Sequence, residues 1–392
     1  MKKVSMASWL LPDNVADILP RQARSLDRIS HTVTELFESH GFEPVMPPVI
    51  EYTDSLLTGS ASDLANNTFK FTDQANGRML GIRADFTPQV ARIDAHILGR
   101  TGVTRLCYNG FVAHQRPMHP LASRLPYVVG AEMFGASGHA ADREMMRLAV
   151  ESLRIAGVSR VHFDLGHVGV VRAVLEGSGL VGEDMHAVLR ALRMKDQVAL
   201  DEAAAGLPEE TRAQLRLLTQ TYGGLDVIDE LKSKLPDLPG LYDALEEVRT
   251  LASECGADAV SVDFCDVHGY RYLTGVTFAA YVEGMSQPVL RGGRYDDVGR
   301  AFGRSRPAVG FTLYLRELVS FGYHALPAAV VAPADDSEDL RNIINGLRMQ
   351  GEIVVQLLPG EKADDLSDSF ILDRALVREG SQWVVKAADI RK

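Results

Sequence analysis

Asp85 and Thr87 stand two residues apart just before Pro88, in the run Arg83-Ala84-Asp85-Phe86-Thr87-Pro88. Two chemistries fit this spacing. Thr87 can cap a helix that Pro88 opens at its first position, which requires no ligand. Alternatively, Asp85 is a carboxylate that holds a cationic group such as an α-ammonium. Glu132 poses the same choice inside the apolar run Gly130-Ala131-Glu132-Met133-Phe134-Gly135. Strand alternation aims it to the face shared by Val128, Gly130 and Phe134. A buried unpaired carboxylate is costly, so Glu132 requires a partner, either a structural ion pair or a ligand. The run Asp266-Val267-His268-Gly269-Tyr270-Arg271-Tyr272-Leu273-Thr274-Gly275 is rich in aromatic and hydrogen-bonding groups, and reads as a decorated turn or as a binding wall. Arg291-Gly292-Gly293-Arg294 lets a backbone approach a ligand, or simply turns tightly. His114 and His119 flank a proline-rich loop at a spacing that suits metal ligands on neither a helix face nor a strand, so no metal site is expected. The GxxxxGK[ST], HExxH and GxSxG signatures are absent.

The elements that must position these residues follow from periodicity. Leu26, Ile29, Val33 and Leu36/Phe37 recur at helical spacing over 20–40, and Gly41 supplies the stop. The proline-rich piece 42–50 suits a sheet edge. Strands are predicted at 68–71 and 79–82 around a turn at 73–77, and a helix at 88–98. The segments 104–112 and 125–134 form a strand pair joined by the loop that carries His114 and Arg116. A helix over 141–156 and a strand over 161–165 follow. Between 168 and 255 helical spacing prevails and β-branched runs are few. Strands return at 259–265, 276–283 and 307–314, with the glycine-rich 291–296 between the last two. From about 325 a small module reads strand 327–332, helix 337–349, strand 352–358, and strands at 370–377 and 382–387. Strand clusters interrupted by a helical insert imply an antiparallel or mixed sheet, not regular βαβ alternation.

Composition narrows the function. Apolar residues make up 46% and charged residues 24% of 392, ordinary for a soluble globular protein of two or three domains. No apolar run reaches the roughly 18–20 residues that span a bilayer. Ser5, Ser8 and Pro12-Asp13 interrupt any signal-peptide core behind Lys2 and Lys3. Three cysteines lack metal-ligand spacing and, being odd in number, do not suggest a disulfide framework, so a cytoplasmic location is expected. A net charge of −11 removes the long-range attraction on which phosphate-backbone binders rely, and favours a protein partner or a small ligand.

Taken in order, these segments resemble the catalytic core of the class II aminoacyl-tRNA synthetases, specifically histidyl-tRNA synthetase, from about Trp9 through Phe321. Leu11-Pro12-Asp13 to Pro47-Pro48 resembles motif 1, the dimer-forming element. Residues 104–135 resemble motif 2, and Gly292-Gly293-Arg294-Tyr295-Asp296 to Pro307-Ala308-Val309-Gly310-Phe311 resembles the approach to motif 3. The implied fold is α+β: a class II synthetase-like antiparallel sheet core flanked by helices (1–167 and 256–323), a helical insertion (168–255) and a small C-terminal α/β module (324–392).

The departures from that family are specific. Its motif 2 reads Phe-Arg-His-Glu-Arg-Pro, the first Arg gripping the α-phosphate of ATP; here Val112-Ala113-His114-Gln115-Arg116-Pro117 puts Ala113 in that place. The Arg that ends motif 3 is Glu317, and the Arg of the histidine-specific segment is His268. Losing one preorganised cation costs an activation step about 3–4 kcal/mol, so three such changes imply that adenylation is lost. By the same resemblance the amino-acid side persists: Asp85 and Thr87 at the ammonium, Glu132 with its carboxylate, and Tyr272 with its hydroxyl. Val128, where the family usually has Gln, departs from it. The C-terminal 62 residues from Val331 carry 8 Lys/Arg against 12 Asp/Glu, a poor surface for an anticodon stem.

A retained pocket beside a broken ATP site is the pattern of the regulatory subunits of ATP phosphoribosyltransferase. That resemblance implies a non-catalytic chain that activates a short catalytic subunit and conveys feedback by histidine. It implies a dimer through the motif 1-like element and a hetero-octamer with the catalytic chains, no cofactor, no tRNA and no membrane. His114 and Arg116 are then expected on a loop reassigned to the catalytic subunit. The alternatives are a divergent working histidyl-tRNA synthetase and a non-catalytic tRNA-binding module.

Overall fold

The structure, a computed structural model, describes residues 10–58, 62–321 and 326–388. Residues 1–9, on which part of the reading of the amino terminus rests, and the expected boundary at 323–324 lie outside them. Two compact units result, one of 10–16 with 26–321, the other of 17–25 with 326–388.

From Leu26 onward the helix Pro20–Ser39 belongs to the first unit, and it buries Leu26, Val33 and Phe37 along one stripe. Gly41 ends it at φ 81°, and the Phe42 amide reaches back to the Phe37 carbonyl, which satisfies a carbonyl the helix leaves open. The strands then run β1 (Glu43–Pro44), β2 (Ile50–Tyr52), β3 (Phe69–Thr72), β4 (Met79–Ile82), β5 (Thr104–Phe111), β6 (Tyr127–Phe134) and β7 (His162–His167). After a helical segment come β8 (Ala259–Val262), β9 (Val276–Tyr281), β10 (Leu290–Arg294) and β11 (Ala308–Tyr314). Eight of these form one sheet in the order β1-β5-β6-β11-β10-β9-β7-β8. Its six central strands are antiparallel, while β1 and β8 add to the two edges in parallel. Edge placement is what the proline in β1 requires, because it cannot donate to a ladder. β2, β4 and β3 make a separate small antiparallel sheet.

Helices cover one side of the large sheet: Phe37 packs edge-on against Phe311 at 5.7 Å, and the helix His139–Ile155 buries Met145, Met146, Leu148, Ala149 and Leu153. The segment between β7 and β8 is six helices, from Val168–Leu175 to Leu241–Glu254, packed through Leu192, Leu215, Leu218, Ile228, Leu231, Leu245 and Val248. The second unit contains β12 (Ala328–Ala332), the helix Glu338–Met349, β13 (Val354–Gln356), β14 (Ile371–Glu379) and β15 (Gln382–Ala387). They form a four-stranded sheet around Val330, Ala332, Leu340, Ile344, Val354 and Leu376.

Two elements differ from the expectation. The glycine-rich stretch beginning at Arg291 is a central strand, β10, not a turn. It tolerates two glycines because a Cβ on Gly292 would lie 2.3 Å from the Phe278 ring of β9. The helix expected over 88–98 is α-helical only from Thr87 to Arg92 and then widens to a π-helical turn, Ile93–Leu98. Within that turn Asp94 is buried and paired with Arg306 at 2.8 Å.

Candidate functional site

Register explains why a cavity forms where it does. Glu132 of β6 faces Gly310 of β11, Gly310 faces Gly293 of β10, Gly293 faces Thr277 of β9, and Thr277 faces Gly166 of β7. Residues directly opposite in an antiparallel ladder share a face, so one row across the sheet is a carboxylate, two glycines, a threonine and a third glycine. The row beside it holds Tyr108, Gly130, Thr312 and Arg291. Bulky side chains are missing from the middle of this face, and a cavity of about 850 Å³ lies over it. That is ample for an amino acid.

The carboxylate is packed without slack. A Cβ on Gly310 would sit 1.5 Å from Glu132 Oε2, and one on Gly130 would sit 2.4 Å from the Tyr108 ring. Glu132 is 1% exposed and accepts from three hydroxyls: Thr87 at 2.8 Å, Tyr108 at 3.1 Å, and Tyr295 in a short contact. Burial pushes its carboxyl up to about 8; the hydroxyls oppose the shift and the charge of Asp85 adds to it. Burial also raises Asp85, against the Thr87 amide, which donates to Asp85 Oδ1 at 3.1 Å. Thr87 therefore does not cap the helix with its side chain: its hydroxyl goes to Glu132, and Phe86 takes the N-cap position. Neither structural expectation for this pair holds, since the partners of Glu132 among the described residues are hydroxyls and not a cation. Tyr272 lines the same cavity with its ring over Gly269, and burial raises its hydroxyl pKa.

Asp85, Thr87, Glu132 and Tyr272 thus meet in one cavity. His268, from the same turn as Tyr272, lines it too, with Nδ1 against Asp266. Asp266 also accepts from Arg291 at 2.8 Å. Burial works to raise the Asp266 carboxyl, but His268 and Arg291 hold it well below the usual range. Ala113 and Glu317 do not line the cavity. Ala113 is 4% exposed, its amide donating to the Arg83 carbonyl at 2.9 Å. Glu317 accepts from the Ser123 amide at 3.4 Å and so ties the base of the loop after β5.

That loop divides its two named residues. Arg116 is exposed, with its amide on Asn67 Oδ1. His114, expected to face a partner, is instead 6% exposed. Its Nε2 meets the Ala84 carbonyl at 3.0 Å, its ring lines the cavity, and burial lowers its pKa. The backbone accounts for this: the His114 amide donates to the Arg124 carbonyl at 2.8 Å, which continues the β5–β6 pairing and turns the ring inward.

Comparisons with known proteins agree on the lineage. A model of the histidyl-tRNA synthetase family matches residues 14–318, and one described as the ATP phosphoribosyltransferase subunit HisZ C-terminal domain matches 327–386. The ATP phosphoribosyltransferase regulatory subunit of Ralstonia nicotianae is 47% identical over 382 residues, covering 97% of this chain and 98% of that one. The chain belongs to the ATP phosphoribosyltransferase regulatory subunit family. Among solved structures, an ATP phosphoribosyltransferase regulatory subunit/histidyl-tRNA synthetase from Bacillus halodurans matches at TM-score 0.78 and 26% identity, over 92% of this chain and 96% of that one. A histidyl-tRNA synthetase from Nostoc sp. PCC 7120 matches at TM-score 0.75 over 97% and 94%; at 16% identity that likeness is one of fold.

Sequence reasoning missed Tyr295 and Thr312, which line the pocket of this regulatory-family chain, and Tyr108, whose hydroxyl donates to Glu132. The signal was available in part: Tyr108 lies across from Gly130, two positions from Glu132, so a tyrosine on β5 opposite a glycine on β6 was legible once the two strands were paired. Tyr295 follows β10, itself read as a turn, and could not be placed.

Proposed function

We propose that this chain is the non-catalytic regulatory subunit of ATP phosphoribosyltransferase, which commits ATP to histidine biosynthesis. In this reading it activates a short-form catalytic subunit and binds histidine in the cavity over the large sheet. Asp85, Thr87, Glu132 and Tyr272 contact the amino acid, joined by Tyr295. The observation that carries the reading is the charge pattern of that cavity. Its inner end concentrates two carboxyls and several hydroxyls, which suit an ammonium and an imidazole N–H, both donors. The positions where the synthetase family holds phosphate carry Ala113, His268 and Glu317, so stabilisation of a developing negative charge is lost there. The core, the helical insertion and the C-terminal module act as separate functional segments in the ranges 1–167 with 256–323, 168–255 and 324–392. Self-association through the motif 1-like element, a hetero-octamer with the catalytic chains, a cytoplasmic location and independence from tRNA belong to the same proposal. None of the described helices is long and apolar enough to cross a membrane, which is consistent with it.

Feedback requires histidine to bind one state of the complex better than the other, and a coupling of about 1–3 kcal/mol suffices. The test is inhibition of the assembled transferase by histidine, with the wild-type chain and with Glu132→Ala. Loss of inhibition with activation retained is expected. Unchanged inhibition would remove Glu132 from the histidine site.

A further inference from the structure

An amino acid is a zwitterion, and the inner end of the cavity serves only its positive half. Asp85 and Glu132 offer a carboxylate no positive charge. A second pole must come from elsewhere on the wall.

Four arginines line the cavity: Arg190, Arg193, Arg271 and Arg291. Arg291 is engaged by Asp266 at 2.8 Å, and Arg271 has an interaction of its own. Arg190 and Arg193 differ from both. Each is exposed, and among the described residues neither has an ion-pair or hydrogen-bond partner. Both sit on the helix Gly182–Met194 of the insertion, three residues apart and therefore on one face, with His186 and Leu189, which line the same cavity. Val188, Ala191 and Leu192 are buried on the rest of that helix, so the face that carries the arginines has a fixed direction. Glu183, in the first turn of the same helix, and the carboxylates Asp164, Asp263 and Asp266 also line the cavity, but none is a direct partner of Arg190 or Arg193, so the two guanidinium groups can receive an anion there.

We propose that Arg193 receives the α-carboxylate of the amino acid bound in this cavity, with Arg190 one turn earlier adding a second positive charge. This rests on the reading of the cavity as a histidine site. Arg193 stands near His268, the position where the synthetase family has its own arginine: its charge is among the influences on that imidazole, after burial, Asp266 and Arg291. A cation lost from the sheet side is thus replaced from the insertion. The ligand then spans two segments, its ammonium on the sheet and its carboxylate on the insertion helix. Occupancy is thereby linked to the position of the insertion, which gives histidine a route to favour one state of the subunit.

The test is titration calorimetry of the full chain with L-histidine and with histamine, which keeps the imidazole and the amine but lacks the carboxylate. Charge-assisted hydrogen bonds place the expected preference of the wild-type chain for histidine at roughly 10- to 100-fold. Arg193→Gln should erase most of that preference by weakening histidine alone, with histamine affinity unchanged; Arg193→Lys should restore part of it. Arg190→Gln should give a smaller loss of the same kind. If Arg193→Gln leaves histidine affinity intact, or weakens both ligands equally, the assignment of Arg193 is wrong while the histidine site stands. If the wild-type chain binds histidine no better than histamine, no carboxylate contact exists and Arg193 loses its role. Wild-type protein that binds neither ligand overturns both readings.

Discussion

The inner end of the cavity and the loop 112–126 beside it handle polar groups in opposite ways. Inside, Glu132 is held by three hydroxyls on a floor cleared by glycines, and each neighbour is fixed by the strand register. In the loop, beyond the buried Ala113 and His114, it is chiefly the backbone that is held: the Gln115 amide donates to Asn67, the Ser123 amide to Glu317, and Asn14 donates to the carbonyls of Pro120 and Ala122. Met118 and Leu121 meanwhile remain exposed. A buried carboxylate cannot drift in sequence without leaving several hydroxyls unsatisfied, whereas a loop pinned by its main chain can change its side chains at little cost. On the reading proposed above, that contrast explains how an amino-acid pocket could persist while the residues on a phosphate side are replaced.

The largest effect should come from filling the cleared floor. Gly310→Ala would place a methyl on top of the Glu132 carboxylate, so the two cannot coexist without movement. We expect an unfolding free energy lower by about 1–3 kcal/mol and at least a hundredfold loss of histidine affinity. Denaturant unfolding and calorimetry measure the two. Gly346, in the helix Glu338–Met349 and with nothing within 4 Å of its missing Cβ, is the control. Gly346→Ala should be neutral or slightly stabilising.

The next effect is a pH dependence. The Glu132 carboxyl titrates near 4.5 when unfolded and near 8 when folded, so between those values the folded chain holds a proton that the unfolded chain has released. This group therefore favours folding least at high pH: stability falls as pH rises from about 4.5 to 8 and is flat outside that window. Glu132→Gln removes the titration. The difference in stability between wild type and Glu132→Gln should shift by a few kcal/mol in favour of the variant across that range. Identical pH profiles would show that Glu132 is not held protonated. The same proton gives histidine binding a signature. An ammonium beside Glu132 favours its ionised form, so binding at pH 7 should release a proton, seen as a binding enthalpy that varies with buffer ionisation.

Smaller changes probe the edge of the pocket and the loop. Tyr272→Phe removes a hydroxyl that the fold does not use among the described residues, so stability should hold while histidine affinity drops by roughly 5- to 10-fold. Ala113→Arg returns one cation to the loop but leaves His268 and Glu317 as they are. ATP–pyrophosphate exchange with histidine should stay at background, and measurable turnover would show a synthetase site close to working.

The same contrast decides how much was legible in the sequence. Helical stretches and the strands β5, β6, β9 and β11 carry their period in the residue types, and the lone carboxylate in an apolar strand marked Glu132 as constrained. β10 was not legible, because Gly292 and Gly293 carry no hydrophobic period and read as a turn until Phe278 is placed across from Gly292. Tyr295 was lost with it. His114 was read from the polarity of its loop, but main-chain pairing with Arg124 turns it inward, and no local residue pattern encodes that. Arg193 was out of reach for a different reason: only the tertiary fold brings the insertion helix over the sheet.

The most direct test of the central claim is to mix this chain with a short-form ATP phosphoribosyltransferase catalytic subunit and measure phosphoribosyl transfer with and without histidine. The account predicts that activity rises on mixing and falls again when histidine is added. It also predicts that the Glu132→Ala chain keeps the rise and loses the fall. Activity that is indifferent to this chain, or inhibition by histidine that is equal with and without it, would contradict the account.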